Sequence, residues 1–148
     1  MESLNDNRVY DGDRARESYH EIGHMFAFIH HGIRVDSCEV GDGCGRTRVP
    51  SQDVDDPLGY IVALCAGKAA VEKWHGYRTP NDKAAWRKSD DHRRAYEAAL
   101  KVSNGSHSAA SILIKWAECM ADAFVEAHWH ELHEPARMLA EKGELTVR

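Results

Sequence analysis

The sequence predicts a mainly α-helical (α+β) domain, and three observations carry that expectation. Long stretches near both ends place apolar residues at helical spacing. A central run, "PLGYIVALCAGKAAVEKWHG", is apolar nearly all round and rich in Ala and Gly. Only two short β-prone runs occur, and they flank the turn-forming "GDGCG". A chain of 148 residues suits one domain. The expected division is a flexible N-terminal segment over residues 1–13 and one folded domain over 14–148.

Taken in order, "MESLNDNRVYDGD" is polar and acidic, without an apolar signal segment, and is expected to fray. Residues 14–31 read as a first helix. Residues 33–40 and 46–49 form a hairpin about "GDGCG". "SQDVDDP" is a loop in which Asp55 or Asp56 can cap a second helix, with Pro57 in its first turn and Gly76 ending it. Its small residues let neighbouring helices approach closely, so it is expected to be central and buried. Residues 77–88 are a polar connection. Ser89 then caps a third helix over residues 90–102, and "SNGS" breaks the chain. A long helix covers residues 107–131. Pro135 suits the first turn of a short last helix ending at Gly143.

Composition excludes several classes. Nineteen Lys and Arg against 24 Asp and Glu leave a net charge of -5, which disfavours a nucleic-acid surface. The longest apolar run, residues 58–67, is about half of what a membrane span needs. No membrane association and a cytoplasmic location are therefore expected. None of the four cysteines forms a CxxC pair. Free thiols are expected, with Cys65 and Cys119 in apolar helical patterns; a Cys38–Cys44 bridge across the hairpin is the alternative.

The chemistry centres on "ESYHEIGHMFAFIHHG". On a helix, His24 lies about 40° from His20 and one turn along, so both imidazoles can share one metal. Glu21 lies about 100° round, beside the pair, where it can reach water without ligating. Ile22, Met25, Phe26 and Ile29 fall on an apolar back that anchors the helix. A histidine-rich helix without chemistry is the alternative.

A catalytic zinc needs a third protein ligand. His30 has the sequence spacing, but Ala27 stands where a chain-reversing glycine is needed. On an unbroken helix His30 points away and lies about 9 Å beyond His24 along the axis; His31 shares the face at about 10 Å. The acidic opening of "SDDHRRAYEAAL" offers carboxylates instead, although acids at a helix N-terminus also simply complement its dipole. The residues alone leave this choice open. Of the remaining histidines, His128, His130 and His133 read as a partly exposed helical face. The four tryptophans read as core or interface.

"YHEIGH", then "LCAGKAAVEKWHG", then "SDDHRRAYEAA" together resemble the peptidase domain of the FtsH family of ATP-dependent zinc proteases. The likeness covers roughly residues 15–145. Ile22 replaces the family's usual Ala, Asp90 its usual Asn, and the stretch from Gly76 to Asp91 is longer than usual. The resemblance implies a zincin-like helical bundle with a small β-hairpin beside the active-site helix. It implies zinc held by His20, His24 and Asp91, and Glu21 as general base. Asp91 precedes Ala95 by four and Ala99 by eight, as the family pattern asks; Asp90 and Asp82 rank behind it.

The implied activity is a zinc-dependent endopeptidase, in which zinc acidifies its water and polarises the scissile carbonyl. An edge strand of the hairpin is expected either to pair with extended substrate or to be purely structural. "AGKAA" lacks P-loop spacing, so a stand-alone peptidase domain is expected. It would act on unfolded or flexible polypeptides, or rely on a separate unfoldase or adaptor; the oligomeric state is open. The alternative is a catalytically silent metal-binding or interaction module of the same shape.

Overall fold

Small residues decide the centre of the molecule. The structure, a computed structural model, describes residues 2–41, 44–50, 55–76 and 80–147; of residues 2–13 and 80–82 it describes the backbone alone. In chain order the elements are α1 (Glu2–His30), β1 (Ser37–Gly41), β2 (Cys44–Arg48), α2 (Pro57–His75), α3 (Pro80–Lys88), α4 (Asp90–Val102), α5 (His107–Lys142) and β3 (Glu144–Thr146). The fold is mainly α-helical with one small antiparallel sheet. Helix α2 is buried along most of its length, as its composition predicts, and packs against α1, α4 and α5. The Asp56 carboxylate accepts from Gly59 N at its start, and Gly76 closes it in the left-handed conformation. At the crossing with α1, a Cβ on Gly23 would sit 2.7 Å from Ala66 O, so only glycine permits this approach.

Helix α1 is anchored by Ile22, Met25, Ala27 and Phe28, all buried. Ile22 is fully enclosed, and truncating it to Ala would cost about 2–5 kcal/mol. One expectation fails here: Ile29, placed on the anchoring face, is 48 % exposed. Its position in the last turn carries it beyond the edge of the core. The helical backbone also begins upstream of residue 14, within the segment expected to be flexible.

The predicted hairpin is present but displaced. Ile33 and Val35 are buried in an irregular approach, and β1 begins only at Ser37. The turn residues 42–43 lie outside the described residues. Cys38 pairs with Thr47 and Gly41 with Cys44, so Cys38 and Cys44 are not opposite each other and both thiols are free. Cys119 is also free but exposed rather than buried. The sheet order is β2-β1-β3; β3 joins β1 through a pairing of Cys38 with Leu145. This third strand was not predicted.

Two further expectations need correction. The polar connection over 77–88 contains α3, whose Trp86 is buried in the core. Pro135 does not start a separate helix: α5 runs unbroken from His107 to Lys142. Proline removes the bond to the carbonyl of Glu131, but that residue is exposed and water can serve it. Buried Leu132, Ala136 and Leu139 hold both sides of the proline to the core. Among the described residues no helix is long and apolar enough to cross a membrane.

Candidate metal centre

Helix α1 presents His20 and His24 one turn apart, and α4 brings Asp91 to them in its first turn. Ser89 sets that turn: its hydroxyl accepts from His92 N at 3.1 Å and donates to Trp86 O at 2.7 Å. Asp91 Oδ2 lies 3.1 Å from His20 Nε2 and 2.9 Å from His24 Nε2, and the two Nε2 atoms are 3.1 Å apart. Among the described residues this is the one group of three or more His, Cys, Asp or Glu that could hold a metal ion. Asp90 is turned outward onto Arg93 and Arg94. The Asp82 side chain lies outside the described residues. His30 packs on Phe124 and His128, and His31 Nδ1 is 3.3 Å from Asp56 Oδ2, so both sit away from the cluster.

The orientation of His24 is fixed from behind. Its Nδ1–H donates to the Ala63 carbonyl at 2.8 Å, which aims Nε2 at Asp91. The imidazole is 3 % exposed and fits because Gly67 has no side chain; a Cβ there would collide with Nε2. Glu21 is also buried, at 5 % exposure. Thr47 on β2 donates to its Oε1 at 2.8 Å, leaving Oε2 4.0 Å from His20 Nε2. A Cβ on Gly45 would sit 2.8 Å from that Oε2, so strand β2 leaves room beside the carboxylate.

Electrostatics binds the group together. Burial alone would push the His24 imidazolium down. The Asp91 carboxylate, by charge and hydrogen bond, overrides this with help from Glu21 and the Ala63 carbonyl, and raises it to about 9. Asp91 is driven upward by burial, but His24 and His20 hold its carboxyl far below the usual carboxylate range. Two imidazole lone pairs at 3.1 Å repel unless a proton or a cation lies between them. Two neutral imidazoles and a carboxylate suit zinc, and with bonds of about 2.0–2.1 Å a tetrahedral ion sets its ligand atoms roughly 3.3 Å apart. The observed 2.9–3.1 Å separations need only a small outward shift. Cys38 and Cys65 are poor competitors, because burial pushes their thiols up to about 11 and about 12.

The cluster lies in a cleft of about 660 Å³ bordered by β2 residues Gly45, Arg46 and Thr47 on one side and by Tyr60 and Arg94 on the other. The structure brings the expected His20, Glu21, His24 and Asp91 together, and beside them stand Thr47, Gly67 and the Ala63 carbonyl, to which sequence reasoning gave no place at the site. Gly67, in the small-residue run, was the one legible hint. The exposed histidine face on α5 is as predicted: His130 and His133 are exposed, and Tyr19 Oη lies 2.7 Å from His133 Nδ1. No protein-family model matches the chain, and no curated protein matches it significantly.

Proposed function

We propose that this chain is a zinc-dependent endopeptidase acting in the cytoplasm on unfolded or flexible polypeptides, of the kind seen in FtsH peptidase domains. The observation that carries the reading is the convergence of His20 Nε2, His24 Nε2 and Asp91 Oδ2 beside the buried Glu21 carboxylate. His20, His24 and Asp91 would hold the ion, which supplies Lewis acidity toward the scissile carbonyl and its attacking water. Glu21 Oε2 removes the proton from the water and returns it to the departing amine. Thr47 steadies the carboxylate through Oε1, so Oε2 stays on the cleft side. Ala63 keeps His24 in one orientation while charge builds on the substrate.

Strand β2 is an edge of the sheet and borders the cleft, so extended substrate backbone can add to it as a further strand. A cleft bordered by an edge strand suits unfolded substrate or substrate delivered by a separate unfoldase or adaptor. The test is metal analysis of the purified chain with digestion of a permanently unfolded protein. About one zinc per chain, hydrolysis abolished by a chelator and restored by zinc, is the expected result. Zinc-loaded protein that cleaves no polypeptide would overturn the proposal in favour of a silent binding module.

A further inference from the structure

Helix α5 has an apolar face that the fold does not use. Buried Ala110, Ile114, Ala117, Ala121 and Val125 hold one side of it to the core. On the other side Ile112, Trp116 and Met120 are 68 %, 40 % and 45 % exposed, half of the six exposed large apolar side chains among the described residues. Cys119 and Ala123 are exposed beside them. Ile112, Trp116, Cys119 and Ala123 follow one another at intervals of four, three and four residues, the spacing that runs a stripe along one helix and fits it to another. We infer that this stripe is a self-complementary seam through which two copies of the chain pair, α5 against α5, in antiparallel fashion. None of its residues lines the cleft, so the inference is independent of the peptidase reading.

The make-up of the stripe selects a second copy and sets its direction. It is bulky at its start, with Ile112 and Trp116, and slight at its end, with Cys119 and Ala123. A two-fold axis between residues 117 and 118 lays Ile112 on Ala123 of the other copy and Trp116 on Cys119, so every layer joins a large side chain to a small one. Parallel copies would set indole on indole and leave a gap where Ala123 meets Ala123. The flanks agree. Exposed Lys115 and Asp122 stand on one side of the stripe, and the same axis brings Lys115 of each copy beside Asp122 of the other. On the opposite flank it brings half-buried Leu113 to Met120. Apolar surface leaves water at the centre, and opposite charges close the rim. One symmetry operator makes both halves of the contact, so association stops at two. The stripe ends where Glu126, paired with Lys73 at 2.6 Å, puts charge into the next turn. About 18 Å of helix makes a small interface, so a reversible dimer with a Kd of roughly 10–100 μM is expected.

The experiment is sedimentation velocity of the purified full chain from about 1 to 500 μM. The dimer should grow in with concentration. Ala123→Glu, at an exposed position, sets a carboxylate in the seam and should weaken association by roughly thirtyfold or more, with circular dichroism and melting of the dilute monomer unchanged. Lys115→Glu faces Asp122 with a like charge and should weaken association by roughly tenfold. Combining Lys115→Glu with Asp122→Lys should restore it to within about threefold, a recovery that parallel pairing, which sets Lys115 beside Met120, does not give. A chain that stays monomeric to about 500 μM, a dimer indifferent to Ala123→Glu or to Lys115→Glu, or a loss that the paired exchange does not recover overturns the inference.

Discussion

Two of the histidine pairs on this molecule lie on single helices near one turn apart, and their surroundings differ sharply. His20 and His24 on α1 are spaced by one turn, and His130 and His133 on α5 nearly so, with ring centres 4.6 Å and 6.2 Å apart respectively. The first pair faces inward, has one ring locked by a peptide carbonyl, and receives a carboxylate from another helix. The second pair faces solvent, and His133 Nδ1 shares a hydrogen bond with Tyr19 Oη at 2.7 Å. Helical spacing makes two imidazoles neighbours. Burial, a fixed ring orientation and a carboxylate from another helix are what turn neighbours into a metal centre.

That contrast can be broken at its strongest point first. Asp91→Ala should abolish both metal retention and hydrolysis, measured by metal analysis after dialysis, while His130→Ala with His133→Ala leaves both at wild-type level. Next, Glu21→Gln should keep the metal and lower kcat by about 10²–10⁴-fold. A variant that hydrolyses at the wild-type rate would show that Glu21 is not the base. Gly67→Ala should displace the His24 ring, destabilise the fold by about 1–3 kcal/mol in denaturant titration and weaken zinc affinity. Thr47→Val should retain metal and lose about tenfold or more in kcat, as a carboxylate freed from its support does.

The smallest expected effect is on pH-dependent stability of the chelated protein. His24 is raised from its ordinary 6.5 to about 9, so its contribution is complete below about pH 6.5 and is lost as pH climbs through about 9. Asp91 is held down, so its contribution is present above the usual carboxylate range and lost in acid. Thermal melting of metal-free protein should therefore be highest between about pH 4 and 6.5 and fall by several degrees toward pH 9. Zinc should reverse the trend on the alkaline side, because the ion competes with the proton on His24. A flat melting temperature from pH 6 to 9 in chelated protein would argue against the His24–Asp91 pair.

What the sequence disclosed follows from the range of the forces involved. Ser89, Asp56 and Gly76 act on backbone within a few residues, and the ends of α2 and α4 fall where those residues put them. His20, Glu21 and His24 are related by one helical turn, so their common face was legible. Asp91 was singled out through the likeness of a pattern, since nothing in "SDDH" itself distinguishes a ligand from a dipole-complementing acid, and the structure puts it within 3.1 Å of both imidazoles. Trp86 makes α3 worth forming only once the core and Glu118 are in place, and β3 exists only because β1 lies across from it. Thr47 escaped notice for the same reason: its role depends on a helix 26 residues earlier in the chain.

The sheet also bears on how the molecule avoids its own kind. With β3 docked along one side of β1, the longer open margin is that of β2, which carries Arg46 and Arg48. Arg48 is already paired with Glu39 at 2.8 Å, so the charge that two copies meeting edge to edge would bring together is chiefly that of Arg46. Arg46 thus sets a positive charge on the edge strand that also lines the cleft, a charge that disfavours pairing of like edges.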